Sequence, residues 1–599
     1  MRRALALIAC CAVVLTAAPA RASSPAFVSS PALGSSPPFV KEATASGSGG
    51  AVSTVDADAT RAALDILRQG GNAVDAAVAA AATLGVTEPF SCGIGGGGFM
   101  VIYRAKDRKV TTIDSRETAP AAMRPDSFLS NGAPLAFADA RYSGLSAGVP
   151  GTVRGWAKAL REYGTMPLGR VLVPGIATAA GGFTVDQTFA DQTAPNVPWF
   201  DDITSTRALY LDADGTPRDV GSRLRNPDLA RTYATLAVFG AESFYRGPIA
   251  DAMVAAATAP PLAPDADHVW RPGLIATSDL RGYQAVERAP TRIGFRGLDI
   301  YSMGPPSSGG STVGGILNTV EALGQPASRE ELLHRFIEAS RYAYADRNAY
   351  LGDPSYVDVP LTGLLSQGYA DTRAALIGPT AAASPVPPGD PYPFEGRTAP
   401  GPAATAETAA PPLSSTTHLT VSDKWGNVVA YTFTIESTGG NGIVVPGYGF
   451  LLNNELTDFN FDSLTHPNRV EPGKRPRSSI SPTIVLRDGK PALALGSPGG
   501  ATIITTVAQI LLDRYVLGTP LPDAVAAPRL SQRNTASTQV EAAVLTSPEA
   551  AALQARGQRL TAGAEIGAAT AIEFGRNGRV TAVAEPVRRG GGSAAVVRR

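Results

Sequence analysis

Thr416-Thr-His-Leu-Thr-Val-Ser422, a turn over Asp423-Lys-Trp-Gly-Asn427, then Val428-Val-Ala-Tyr-Thr-Phe-Thr-Ile435: this stretch decides the fold. Both runs are rich in β-branched and aromatic residues, and a glycine-bearing turn joins them, so the pattern predicts a β-hairpin. What precedes it is of another kind. Residues 378–415 are dense in Pro, Ala and Thr and include Pro385-Val-Pro-Pro-Gly-Asp-Pro391. Neither a helix nor an inner strand tolerates that composition, so a flexible connection is expected there. A threonine opening a strand behind such a segment has a chemical use. A cut before Thr416 would leave one residue carrying both a hydroxyl and a free α-amine. An α-amine titrates at about 7.7–8.0. That suits a general base at neutral pH, and threonine with an N-terminal amine is an activated nucleophile. The residues alone leave the point open, because Thr-Thr at a strand start is also ordinary β-propensity.

Further upstream, Asp56 to Leu84 is Ala-rich and broken only by Gly70-Gly71, which predicts two helices with a turn between them. Gly95 to Gly98 lead into the apolar run Phe99-Met-Val-Ile-Tyr103. The run has no GK[ST], and the glycines precede a strand where a phosphate loop needs a helix N-terminus. A turn at which backbones approach closely is expected. Glu330 to Tyr350 has apolar residues at helical spacing with Arg and Glu between them, the pattern of a long helix.

The N-terminus has the order of an export signal: Met1-Arg2-Arg3, an apolar Ala4 to Ala18, and small-x-small sites at Ala18-Pro19-Ala20 and Ala20-Arg21-Ala22. The apolar run is shorter than the ~20 residues a bilayer span takes. Leu7-Ile8-Ala9-Cys10 resembles a lipobox but comes too early in the chain. The expectation is a signal peptide over 1–22, a disordered Ser/Pro-rich segment over 23–50, and a secreted or periplasmic, extracytoplasmic protein with no stable membrane span. Cleavage would leave Cys92 as the sole cysteine of the three, so no internal disulfide is expected. The four histidines stand at no metal-ligand spacing, and no metal or other cofactor is implied. Lys+Arg and Asp+Glu are both 52, so there is no basic surplus for a nucleic-acid partner.

The hairpin, extended to Glu436, resembles the signature of the γ-glutamyltranspeptidases, a family of the N-terminal-nucleophile (Ntn) hydrolase superfamily. Ile113-Asp-Ser-Arg-Glu117, Ala147-Gly-Val-Pro-Gly151, Pro305-Pro-Ser-Ser-Gly-Gly310, Leu351-Gly-Asp-Pro354, Leu452-Asn-Asn-Glu455, Gly473-Lys-Arg-Pro476 and Gly496-Ser-Pro-Gly-Gly500 resemble that family too, in its order. The resemblance runs from about Ala51 to the last fifty residues. It implies an α+β fold, a four-layer αββα sandwich. It also implies self-cleavage between Ser415 and Thr416 into a large subunit (51–415) and a small one (416–599) that remain paired as a heterodimer.

The resemblance implies roles residue by residue. Thr416 is the nucleophile, Thr434 the hydroxyl that binds it, and Gly499 and Gly500 supply oxyanion N–H groups. Arg116, Ser478 and Ser479 hold the donor's α-carboxylate, and Glu436, Glu455 and Asp458 its α-ammonium. The implied activity is transfer of the γ-glutamyl group of glutathione or related γ-glutamyl compounds to water, amino acids or peptides. A cephalosporin (glutaryl) acylase or a poly-γ-glutamate-processing enzyme of the same superfamily is the alternative. There are two departures from the family pattern. Gly439 stands where many members carry an aromatic residue, and the segment from Asp458 to Ser478 is short, so no lid over the donor pocket is expected. His418 lies on the same strand face as Thr416, and a structural role is expected for it.

Overall fold

The structure, a computed structural model, describes residues 41–401 and 415–597. The expected signal peptide and residues 402–414 of the connection lie outside the described residues.

Two seven-stranded sheets form the middle of the protein. The chain enters through β1 (Thr44–Gly47) and β2 (Ala51–Thr54), then forms helices α1 (Ala57–Arg68) and α2 (Ala73–Thr87). Gly70-Gly71 makes the turn between the helices, and Asn72 caps α2 with Asp75 reciprocating. Next come β3 (Gly97–Arg104) and β4 (Lys109–Asp114), and after a helical region β5 (Val286–Arg288), β6 (Thr291–Phe295) and β7 (Leu298–Ser302). Helices α3 (Gly309–Ala322) and α4 (Arg329–Tyr350) follow. The hairpin is β8 (Thr417–Ser422) and β9 (Val428–Thr434), and β10 (Thr483–Arg487) and β11 (Lys490–Gly496) form another. Helix α5 (Thr502–Tyr515) and strands β12 (Thr570–Phe574), β13 (Val580–Ala584) and β14 (Ser593–Val596) complete the layers.

The first sheet runs β1-β13-β12-β11-β10-β7-β6 and the second β14-β2-β8-β9-β3-β4-β5. The sheets pack face to face, with α1 and α2 against the second and α3 and α5 over the first. This is the four-layer αββα sandwich, and the paired sheets bury side chains on both of their faces.

The hairpin lies in the middle of the second sheet, with every residue of both strands buried. Leu419, Val421, Val429, Tyr431 and Phe433 enter the core shared with α2. Val428 and Ala430 enter the layer between the sheets. Strand alternation puts His418 in that second layer. Its Nδ1 lies 2.6 Å from Thr432 Oγ and its Nε2 3.1 Å from Thr420 Oγ. Burial pushes its pKa down to about 3, so the ring is neutral and structural.

Two expectations need correction. The disordered segment was placed over 23–50, yet Thr44–Gly47 pairs with β13 as an edge strand. Thr-Ala-Ser-Gly carries no hydrophobic pattern to announce this. Residues 378–401 lack long elements but are pinned. Ala381 N–H donates to the Arg556 carbonyl at 2.8 Å, Val386 N–H to Asn534 at 2.8 Å and Gly389 N–H to Asp346 at 2.8 Å. A proline-rich composition excludes regular structure without excluding anchorage. The long helix expected over Glu330 to Tyr350 is α4, and it buries Glu338, Arg341, Asp346 and Arg347.

The inter-sheet layer yields a prediction. A Cβ on Gly496 of β11 would overlap the His418 ring, which is held by two hydroxyls in a packed layer. Gly496→Ala should cost about 1–3 kcal/mol and lower the thermal midpoint. An unchanged midpoint would mean that the sheets separate freely at this point.

Candidate active site

Thr416 sits just before β8, almost fully buried. Its Oγ donates to Thr434 Oγ at 3.1 Å, and the same Thr434 oxygen accepts the Glu436 N–H at 2.8 Å. Gly96 makes this possible from behind, since a Cβ there would overlap the Thr434 carbonyl oxygen. The glycine run is therefore a site of close backbone approach to the strand that carries Thr434.

The Thr416 backbone is unusual. Its φ is +145°, a region that a β-branched residue enters only under strain of roughly 1–3 kcal/mol. Anchors on either side hold it there. Ser415 N–H donates to the Glu436 carbonyl at 2.9 Å, and Arg589 Nη1 donates to the Thr416 carbonyl at 2.9 Å.

Thr416 and Thr434 open onto a cavity of about 570 Å³. Arg116, Glu436, Glu455 and Asp458 line it, as do Ser478, Ser479 and Gly500. Gly499 precedes Gly500 in a turn where both have positive φ, +131° and +54°. Their carbonyls accept from the first turn of α5, and among the described residues neither N–H has a hydrogen-bond partner. Two adjacent amides at a helix start can converge on one developing negative charge.

Charge dominates the opposite wall. Arg116 follows β4, and its guanidinium pairs with Glu455 and, at 2.5 Å, with Asp458. Its Nε donates to the Pro476 carbonyl at 3.1 Å. Burial opposes the charged form of Arg116, but the neighbouring carboxylates Glu455 and Asp458 outweigh it and raise its pKa. Burial also raises Glu455 well above the carboxylate range, Glu117 to about 8 and Glu436 to about 7. Glu436 accepts from Asn454 Nδ2 at 2.6 Å and from Ser437 Oγ. The site thus holds one tightly framed guanidinium beside carboxyl groups that exchange protons near neutrality, a surface suited to an ammonium next to a carboxylate.

Some participants escaped the sequence reading. Arg347 of α4 lines the cavity and donates to Ser479 Oγ at 2.9 Å and to Ser308 Oγ at 2.9 Å. On a helix of mixed charge and apolar residues nothing marked it as buried. Arg141 reaches the Gly440 carbonyl at 3.0 Å and fixes the turn after Glu436. The departure at Gly439 also has a physical basis: its φ is +86°, and a Cβ there would meet the Phe200 ring at 2.6 Å. Phe200 fills that room from elsewhere in the chain. The short segment after Asp458 supplies a wall, with Phe459 to Asp462 lining the cavity.

The chain is similar to known proteins over most of its length. The chain is 38% identical to the glutathione hydrolase proenzyme of Escherichia coli over 560 residues, 90% of each chain. It is 34% identical to the acylase ACY 1 proenzyme of Pseudomonas sp. strain V22 over 555 residues, 90% of this chain and 92% of that protein. Among solved structures, the cephalosporin acylase from Bacillus halodurans superposes with a TM-score of 0.78 at 27% identity, covering 94% of this chain and 99% of that one. The family model described as gamma-glutamyltranspeptidase matches residues 59–595. With that match covering most of both sheets and every residue that lines the cavity, the chain belongs to the gamma-glutamyltranspeptidase family.

Proposed function

We propose that the protein cuts itself before Thr416 and then acts as a γ-glutamyltransferase and hydrolase on glutathione and related γ-glutamyl compounds. The observation that carries this is the shared cavity: the Thr416 hydroxyl and the Gly499-Gly500 turn face the same space as Arg116 and its acids. The glutathione hydrolase proenzymes among the relatives support the same reading.

In the precursor, Thr416 Oγ attacks the Ser415 carbonyl carbon, the C–N bond breaks, and the ester so formed is hydrolysed. The new α-amine of Thr416 is the base for turnover. It takes the proton from Thr416 Oγ as that oxygen attacks the γ-amide of the donor. Thr434 orients the hydroxyl, and the Gly499 and Gly500 amides hold the oxyanion. The amine returns the proton to the leaving group, and water or an acceptor amine releases the γ-glutamyl ester. Arg116 with Ser478 and Ser479 takes the donor's α-carboxylate, and Glu436, Glu455 and Asp458 take its α-ammonium. The large part (51–415) and the small part (416–599) remain together because β8 and β9 lie between β2 and β3. The N-terminal signal makes the enzyme an exported one.

The acylase relatives keep a second reading, a glutaryl acylase, in play. A glutaryl donor has no α-ammonium to meet the three acids. Three outcomes are expected. Thr416→Ala abolishes both self-cleavage, read by intact mass, and turnover; an alanine variant that is still cut at this bond sinks the mechanism. γ-Glutamyl-p-nitroanilide is hydrolysed far faster than glutaryl-p-nitroanilide, and the reverse order favours the acylase. The third concerns pH. With its pKa raised to about 7, Glu436 is a carboxylate above that value and loses its charge as pH falls through it. The KM for the γ-glutamyl donor should therefore climb below about pH 7, and Glu436→Gln should raise it and flatten the profile. A wild-type KM that does not change across this range would remove Glu436 from the ammonium site.

A further inference from the structure

The Ser415-Thr416 peptide is gripped by residues with no part in the chemistry above. Ser415 Oγ donates to Ser91 Oγ at 2.9 Å, and Ser91 Oγ lies 3.4 Å from Glu88 Oε2. Ser91 and Ser415 are fully buried. Glu88 and Ser91 belong to one tight turn that ends α2, closed by the Ser91 N–H to the Glu88 carbonyl at 2.9 Å. Phe90 pins that turn among Phe189, Phe200 and Tyr210. On the other side of the scissile bond, Arg589 holds the Thr416 carbonyl from a left-handed backbone, φ +54°, that a non-glycine residue adopts at a cost. Arg589 is also the cation that most favours the Glu88 carboxylate. The two groups therefore bracket the bond, one through the side chain of Ser415 and the other through the carbonyl of Thr416.

We propose that Glu88, acting through Ser91, is a positioning residue for self-cleavage: with Arg589 opposite, it clamps Ser415 so that the strained Thr416 torsion is released only by breaking the peptide bond. This rests on the reading that the chain cuts itself before Thr416. The torsion φ of Thr416 is defined by the Ser415 carbonyl carbon, so it exists only while the peptide bond does. Thr416 Oγ forms a bond to that carbon, the C–N bond breaks, and the hydroxyl proton passes to the nitrogen. Water then divides the ester into the Ser415 carboxyl group and the Thr416 hydroxyl. If Ser415 were free to rotate, the strain would relax through it and the carbonyl would turn away from Oγ.

The clamp needs an acceptor at its end, and the Glu88 carboxylate is the stronger one. Burial pushes the Glu88 carboxyl up to about 7. The groups acting on it are Arg589 and Lys41, which favour the carboxylate, and Asp56 and Asp186, which oppose it, with the buried Cys92 thiol beside it. Above that pH the carboxylate takes the Ser91 hydrogen bond, and the clamp weakens as pH falls through it.

The test follows maturation of full-length chain made by cell-free synthesis and shifted to buffers on either side of neutrality, with the cut and uncut fractions read by intact mass. Wild type should mature faster as pH rises through about 7. Glu88→Gln should mature about tenfold more slowly at the alkaline end and lose that pH dependence. Ser91→Ala should match it, Ser91→Thr should restore the rate, and the matured fraction of each variant should turn over donor as wild type does. Glu88→Gln and Ser91→Ala chains that mature at the wild-type rate overturn the proposal. So does a slow Glu88→Gln that keeps the wild-type pH profile, which would indicate packing alone. A wild-type chain that is never cut would instead bring down the self-cleavage reading, and the clamp with it.

Discussion

Everything at the site hangs on the register of one strand pair. β8 has β2 on one edge and β9 on the other, and β9 is flanked in turn by β3. Both faces of the pair are covered, by α2 on one side and the first sheet on the other. A slip of one residue would exchange the two faces, sending Leu419 and Val421 between the sheets and Thr416 and His418 toward the helices. The apolar residues of the pair thus fix the direction of its hydroxyls. Thr416 meets Thr434, and His418 meets Thr432 and Thr420, because Val429, Tyr431 and Phe433 have no other place to go.

The same sandwich must tolerate a concentrated charge. Arg116, Glu455 and Glu117 are buried together. Removing such groups from water costs several kcal/mol each, and close pairing recovers that only in part. This cluster does not recover all of it: both Glu117 oxygens and one Glu455 oxygen are buried without a hydrogen-bond partner among the described residues. The raised pKa values of Glu455, Glu117 and Glu436 are the same cost in another form, since protons stand where charges would be expensive. Of the two glutamates with open oxygens, Glu455 lines the cavity, so its open oxygen is the one that a hydrogen-bond donor in the cavity could meet.

What could be read from the sequence, and what could not, divides along physical lines. The hairpin and the two Ala-rich helices were visible through residue propensity and their glycine turns, and the long helix ending at Tyr350 through its apolar spacing. The residues around the cavity were visible only through family resemblance, since a lone arginine or a Gly-Gly pair carries no signature of its own. The edge strand at Thr44 was invisible because it is held by backbone hydrogen bonds rather than by side chains. Arg347 was hidden by a helix whose charged residues face inward, which pattern rules assign to solvent. The anchored stretch 378–401 shows the converse error: a composition that forbids helices and inner strands was taken to forbid order, while its hydrogen bonds go to side chains and turns elsewhere.

The choice of threonine at position 416 is consistent with these constraints. A β-branched side chain has few accessible χ1 states, so its hydroxyl is aimed at little further entropic cost. The same branching makes a φ of +145° harder to bear than it would be for glycine or serine. Stiffness therefore acts twice at this residue: the side chain points Oγ at Thr434, and the backbone holds a strained torsion about its own N–Cα bond. Neither effect needs a neighbouring histidine, and the one histidine in the strand is neutral and tied up with hydroxyls two residues away. Under the proposed reaction, a hydroxyl oriented by its own branching, beside a strand locked by its neighbours, would lack only a base. Cutting the peptide bond before Thr416 would release the strained torsion and create that base as the α-amine of the same residue.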